Sequence, residues 1–220
     1  MSIERLRQLA SVRMLPEVHA SYLKRMNIKP SVVYDIGACV LHWTMCAKDA
    51  WPYARFFVFE AMDGPEAIFQ EQGLHYNMGV LSNVDGKEIP FYQNTEHPAG
   101  NSYYRENVEL SPAAAFLFND ANMVMKTTMT LDTVVKEKGF LPPDLIKMDV
   151  QGAELDVLHG ARNTLKTCKD LILELQNFEY NVGAPMKDVV IDYLDTIGFR
   201  IAGIISEDNI QGDYHFTRYK

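Results

Sequence analysis

Residues 144–161 read DLIKMDVQGAELDVLHGA. A short apolar run, Leu145, Ile146 and Met148, delivers Asp149 to its carboxyl end, and Gln151-Gly152 then turns the chain toward an amphipathic helix. In an open α/β sheet, ligands bind in the crevice beyond the carboxyl ends of the strands. A carboxylate there is placed for chemistry or for gripping a ligand. Working outward, residues 32–44, VVYDIGACVLHWT, repeat the same strand-to-turn logic. Together the two segments predict an enzyme that holds a nucleotide-type cofactor.

The rest of the chain supplies the frame. From Ser31 onward strands and helices alternate, the signature of a mostly parallel sheet. Strands are expected at 32–36, 55–59 (ending at Glu60) and 75–81, with helices at 40–49 and 65–72. The alternation then breaks at the Asp85-Gly86 turn signal, with additional strands at 88–93 and 126–130. Between them lies a long segment, 94–124, of the kind that forms lids and substrate loops. Alternation resumes with a helix at 131–138, the strand before Asp149, a helix at 151–165 and a strand at 170–175. A helix at 185–196 follows, with Pro185 suited to its first turn. Residues 199–205 and 214–219 read as a closing antiparallel pair. Residues 2–27 read as two short helices broken near Pro16, with Ile3, Leu6, Leu9 and Ala10 at helical spacing as a packing face or lid. The expectation is one domain over 31–220, with a helical segment, 1–30, packed on its core.

The 220 residues are 47% hydrophobic and 23% charged, an ordinary globular balance. A net charge of -8 argues against an extended nucleic-acid surface, which needs clustered Lys and Arg. Cys39, Cys46 and Cys168 form no CxxC pair, so neither a disulfide framework nor a Cys-type zinc site is expected, and a reducing, cytoplasmic setting is the simpler reading. Charges run through the apolar positions of MSIERLRQLASVRML, which fits neither a signal peptide nor a membrane span.

Asp35-Ile36-Gly37-Ala38 stands where the first strand meets the first helix. Gly37 allows a positive φ and close approach of backbone to ligand, and Asp35 is placed to accept from an amine or hydroxyl. Leu41 occupies a place where glycine would be comfortable, so the run lacks the G-x-G-x-x-G spacing that cradles a pyrophosphate. A nicotinamide oxidoreductase is disfavoured accordingly. Glu60 ends the second strand about two dozen residues past Gly37, a position from which an acid reaches ribose hydroxyls. An ordinary strand-to-helix turn and a chance carboxylate are the alternatives to this pairing.

DIGA at 35–38, Glu60, the DG turn at 85–86, TLD at 130–132 and above all LIKMDVQGAELDVLHGA at 145–161 resemble the FkbM family of S-adenosylmethionine-dependent methyltransferases, over about residues 32–199. The resemblance implies an α/β, Rossmann-like class I methyltransferase fold: a mostly parallel seven-stranded sheet with an inserted β-hairpin and loop region and N-terminal helices. It also implies S-adenosylmethionine as cofactor and methyl transfer to a hydroxyl of a sugar, polyketide or similar metabolite. By the same resemblance Asp35, Gly37, Ala38 and Cys39 would line the methionine end of the cofactor, and Glu60 would hold its ribose. The family pattern is DxGANxG, whereas here Cys39 and Leu41 replace its asparagine and second glycine, and Gln151 replaces the acid before Gly152. Leu41 would take freedom from the turn and crowd the cofactor. Cys39 reads as a small buried turn residue or as a reactive thiol.

O-methylation needs a hydroxyl held in line with the methyl group, and much of its rate can come from positioning. Asp149 would act as base, bind the cofactor amine or hold a divalent metal beside the acceptor oxygen, the alternative being a helix cap. Glu154, in the first turn of the next helix, is a second catalytic candidate or a capping acid. Glu174 and Gln176 end the following strand, where they would bind substrate or, with Asp149, form an oxygen-rich metal site. In the long segment, His97 would serve as base, Asn101 and Ser102 would bind hydroxyls, and Tyr103 and Tyr104 would stack on a sugar ring. A solvated loop is the alternative there. His42 and Trp43 read as packing residues. The expected activity is O-methylation of a carbohydrate hydroxyl, with a glycosyltransferase as a conceivable partner. Methylation of a polyketide or lipid hydroxyl, or a binding module that has lost turnover, are the rivals.

Overall fold

The structure, a computed structural model, describes residues 3–12, 15–94 and 97–219. Helices α1 (Ile3–Ser11) and α2 (Glu17–Arg25) come first, followed by β1 (Val32–Ile36), α3 (His42–Ala50), β2 (Arg55–Glu60), α4 (Glu66–Glu71) and β3 (His75–Met78). Next come β4 (Val80–Leu81), β5 (Glu88–Tyr92), a short α5 (Ala114–Leu117) and β6 (Met123–Met129). The remainder is α6 (Leu131–Lys138), β7 (Leu145–Met148), α7 (Glu154–His159), β8 (Asp170–Gln176), α8 (Lys187–Thr196), β9 (Phe199–Glu207) and β10 (Gln211–Arg218).

Seven strands form the main sheet in the order β3-β2-β1-β7-β8-β10-β9. β10 pairs antiparallel with both β8 and β9, as the closing pair predicted, and the other main-sheet pairings are parallel. Every residue of β1 and β7 is buried, which is why both read as continuous apolar runs rather than alternating ones. Strand order reverses between β1 and β7, so the carboxyl ends of these two strands flank the switch point where an open α/β sheet takes its ligand.

Several boundaries move. The strand expected over 75–81 is two strands. The last main-sheet bond runs from the Gly79 N–H to the Glu60 carbonyl (2.8 Å), and Val80 and Leu81 then pair with Thr128 and Met129 in a side sheet ordered β4-β6-β5. The helix expected at 151–165 is only α7, followed by a 3-10 turn at Thr164–Lys166, because Gln151 and Gly152 both take positive φ (54° and 96°). Likewise α3 starts at His42 because Leu41 is left-handed, and Pro185 precedes the Met186 cap of α8 instead of entering the helix.

The N-terminal helices are bound into the core. Leu6 of α1 is fully buried in a cluster with Ala38, Val40, Leu41, Met62 and Phe69, and Leu23 of α2 lies with Trp43, Trp51 and Phe56. Each such side chain contributes about 1.5–3 kcal/mol relative to exposure. Polar contacts fix α2 further: the Tyr22 hydroxyl lies 3.2 Å from His215 Nδ1, and His215 Nε2 lies 2.9 Å from Asp170 Oδ1. Gly203 on β9 makes this docking fit, since a Cβ there would fall 2.2 Å from the Tyr22 hydroxyl. Among the described residues no helix is long and apolar enough to cross a membrane.

Candidate functional site

β1 and β7 lie in register with Asp35 opposite Lys147. The Lys147 ammonium sits 3.2 Å from Asp149 Oδ2 and 3.6 Å from Asp35 Oδ1, one cation between two carboxylates. Burial alone would lower its pKa, but the charges of Asp149 and Asp35 reverse that and hold it above the ordinary lysine value. Burial likewise works to raise Asp149, and Lys147 together with hydrogen bonds from Gln151 and Glu174 brings it below the usual carboxylate value. Asp35 is fully buried and accepts from Thr44 Oγ1 (2.5 Å), yet burial keeps its pKa raised.

The turn after β1 is wedged against both neighbouring strands. Gly37 and Ala38 donate their N–H groups to the Phe59 carbonyl (2.9 and 3.1 Å), and the Asp149 N–H donates to the Ile36 carbonyl (3.0 Å). Gly37 has φ +78°, and a Cβ there would fall 1.9 Å from the Asp149 carbonyl oxygen. Cys39 (φ 48°) and Leu41 (φ 73°) then adopt left-handed backbone without being glycine. The Leu41 side chain, 2% exposed, packs into the α1–α4 cluster and is absent from the crevice wall. Leu41 is therefore buried away from the crevice instead of projecting into it.

Glu60 fastens this turn from the other side: Oε2 accepts from the Cys39 N–H (2.6 Å) and Oε1 from the Met62 N–H (2.7 Å). Its burial pushes its pKa up. Burial, with Glu60 beside it, pushes the Cys39 thiol up to about 12, which disfavours the thiolate form.

Gln151 organises the opposite wall. Its Nε2 donates to Asp149 Oδ1 (2.8 Å) and to Glu174 Oε2 (2.6 Å), while Gln211 Nε2 donates to Glu174 Oε1 (2.9 Å). An acid at 151 would be a third carboxylate at this point, whereas the amide supplies a donor to both neighbours. Burial and then the Asp149 charge raise Glu174 well above its ordinary value. The Gln151 amide also stands where an ion shared by Asp149 and Glu174 would bind. Among the described residues no group of three or more His, Cys, Asp or Glu is arranged to hold a metal ion.

These groups open onto a crevice of about 520 Å³, within the range of about 300–1,000 Å³ usual for small-molecule sites. Gly37, Ala38, Cys39 and Glu60 line one end, Lys147 and Asp149 the middle, and Glu174, Gln211, Asp213 and His19 the other. Asn101, Ser102 and Tyr103 line it from the long segment. That segment is held down by Ser102, whose hydroxyl donates to the Gln151 carbonyl (2.8 Å), and by the Tyr103 and Tyr104 hydroxyls, which both donate to Asp156 Oδ2 (2.9 Å each). Tyr104 itself is absent from the wall.

Four further expected site residues lie off the wall. Asp35 is beneath it, bound to Thr44 and beside Lys147. Glu154 turns back to accept from the Val150 N–H (2.9 Å), so it braces the turn in place of facing a substrate, and burial pushes its pKa up to about 7. His97 is exposed at the edge of the long segment. Gln176 is spent on the backbone, donating to the Ala184 carbonyl (2.8 Å) and accepting from the Asn181 N–H (3.0 Å).

Among the wall residues that the sequence did not point to are Lys147, Gln211, Asp213 and His19. Lys147 had a signal, a charge inside an otherwise apolar buried strand. The other three had none, because they come from α2 and β10. Trp43, read as packing, is 5% exposed and lines the crevice with an indole N–H that has no partner among the described residues. Among the described residues the buried Asn101 Nδ2 is also without one. Unpartnered buried donors at a cavity wall fit ligand oxygens.

The sequence profile of the family described as Methyltransferase FkbM domain matches residues 35–201. No curated protein matches the chain. Among solved structures, a precorrin-6y C5,15-methyltransferase from Geobacter metallireducens GS-15 is similar with a TM-score of 0.51 at 11% identity, over 94% of this chain and 90% of that one. A SAM-dependent methyltransferase from Aquifex aeolicus aligns over 100% of both chains at 11% identity with a TM-score of 0.48. A ribosomal protein L11 methylase from Lactobacillus delbrueckii subsp. bulgaricus aligns over 93% of this chain and 78% of that one, at 13% identity and a TM-score of 0.48. The first of these likenesses bears on the fold alone.

Proposed function

Because the chain belongs to the methyltransferase FkbM domain family, we propose that it transfers a methyl group from S-adenosylmethionine to a hydroxyl of a carbohydrate. Methyl transfer from that cofactor follows from the family. The hydroxyl and the carbohydrate are our reading of the crevice. The observation that carries it is the array Lys147–Asp149–Gln151–Glu174 at the strand-order switch, facing a crevice whose other end presents Glu60.

The residues present fit the cofactor. Glu60 keeps lone pairs beyond its two backbone bonds and can accept from ribose hydroxyls. Gly37 brings backbone to the surface of the crevice without a side chain, and Asp149 offers a carboxylate to an ammonium group. When bound, the cofactor supplies an electrophilic methyl group on a sulfonium. The chain's own task is then to align the acceptor oxygen with it and exclude competing water. Asn101, Ser102, Tyr103 and Glu174 offer polar groups and one aromatic ring to a polyhydroxylated acceptor. Asp149, held in an ion pair with Lys147, is a weak base and serves better as a fixed negative charge.

Calorimetry with S-adenosylmethionine and S-adenosylhomocysteine tests this reading. We expect micromolar binding that Glu60→Ala weakens by at least about tenfold, the effect of losing hydrogen bonds to a charged group. A screen of labelled methyl transfer onto monosaccharides, against polyketide and lipid hydroxyls, should then favour the sugars. Absence of cofactor binding would overturn the proposal, and a preference for apolar acceptors would overturn its carbohydrate part.

A further inference from the structure

We propose that His19 is a catalytic residue that takes the proton from the acceptor hydroxyl. The inference rests on the reading of this crevice as the seat of methyl transfer to a hydroxyl.

His19 comes from α2, ahead of the family-matched span, and lines the acceptor end of the crevice while only 9% exposed. Its Nε2 lies 3.2 Å from Ser206 Oγ and 3.4 Å from Asp213 Oδ2. Ser206 Oγ donates its own hydrogen to Asp213 Oδ2 (2.8 Å), so toward the histidine it can only accept. The proton of the neutral ring therefore sits on Nε2. That leaves the lone pair on Nδ1, which has no partner among the described residues. The partner of one ring nitrogen fixes the role of the other.

The carboxylates in the crevice are committed elsewhere. Asp149 is engaged by Lys147 and Gln151, and Glu174 by Gln151 and Gln211. Asp213 is the charge that would balance an imidazolium, and it lies within electrostatic reach of Asp149 and Lys147. In the step, the acceptor oxygen bonds to the methyl carbon as the methyl–sulfur bond breaks and its electron pair stays on sulfur, releasing S-adenosylhomocysteine. The hydroxyl proton passes to Nδ1, Asp213 balances the resulting cation, and the proton leaves to solvent with the product. Docking of α2 through Tyr22 holds the ring in place between turnovers.

Two measurements test this. Long-range proton–nitrogen NMR on uniformly labelled protein, with His19 assigned from its loss in His19→Gln, should show the neutral ring protonated at Nε2 and bare at Nδ1. A proton on Nδ1 overturns the proposal. With a sugar that the wild type methylates, His19→Gln should lower kcat by about 10²–10⁴-fold while S-adenosylhomocysteine affinity stays within about twofold, and added imidazole should restore part of the rate to His19→Ala. A merely structural histidine would give no imidazole rescue. Undiminished kcat in His19→Gln overturns the proposal. Failure of the methyltransferase reading itself shows separately, as wild-type protein that binds no S-adenosylhomocysteine.

Discussion

Lys147 sets the electrostatics of the crevice floor, because one buried ammonium serves both Asp35 and Asp149. Breaking a buried pair by removing one partner costs about 3–5 kcal/mol, chiefly for the charge left behind. Lys147→Met should therefore destabilise by about that much in urea unfolding, and adding Asp35→Asn should recover part of the loss. A second variant without recovery would show that Asp35 draws little from Lys147. Glu154 makes a prediction of opposite character. Burial raises its carboxyl from an ordinary 4.5 to about 7, so the folded chain holds this proton more tightly than the unfolded chain does. Its contribution to stability is full below about pH 4.5 and is lost as pH rises through about 7, a span worth about 3 kcal/mol. Glu154→Gln should flatten the fall in urea midpoint between about pH 5 and pH 8 relative to wild type, and an unchanged slope would refute the assignment. At this scale the sequence was half legible. Asp149, Glu60 and Gly37 announced themselves by standing at strand ends. The capping alternative for Glu154 was legible from its place in the first turn of a helix, whereas nothing local told that Gln176 is spent on the backbone at Asn181 and Ala184.

Among the elements, the turn from β1 to α3 is where a sequence rule and the fold part company. Leu41 stands left-handed, at a cost of about 1–2 kcal/mol for a side chain in that conformation. Its buried side chain in the α1–α4 cluster is worth more, since emptying such a position costs about 2–5 kcal/mol. Leu41→Gly should therefore destabilise by about 1–3 kcal/mol despite relieving the backbone, with cofactor affinity little changed because Leu41 lies off the crevice wall. A more stable glycine variant would show that strain outweighs packing. The same logic explains which elements could be read in advance. The strands flanking the switch point were legible because both faces are covered and their runs are continuously apolar. The break between β3 and β4 was hidden, because Val80 and Leu81 are as apolar as a continued strand and only their pairing with β6 moves them.

At the level of the whole molecule, the crevice is assembled from parts far apart in sequence: α2, the β1 and β2 turns, the long segment, and the paired ends of β8, β9 and β10. Local periodicity carries no information about such convergence, which is why His19 and Asp213 went unread while the sheet did not. It also means that a ligand bridging these parts must tie them together. S-adenosylhomocysteine at about 100 times its Kd should stabilise the folded chain by about 2.7 kcal/mol, which for a chain of this size raises Tm by roughly 5–10 °C. Hydrogen exchange should show where that stabilisation goes. We expect slowing in the turn at 37–41, in residues 98–103 and in α2, with no change around Arg162 and Tyr193, which line a separate hollow. Protection confined to the β1 and β2 turns would separate the cofactor from α2 and leave His19 placed by its docking contacts alone. Protection that includes α2 would mean that cofactor binding further steadies the already docked helix bearing the proposed base before the acceptor arrives.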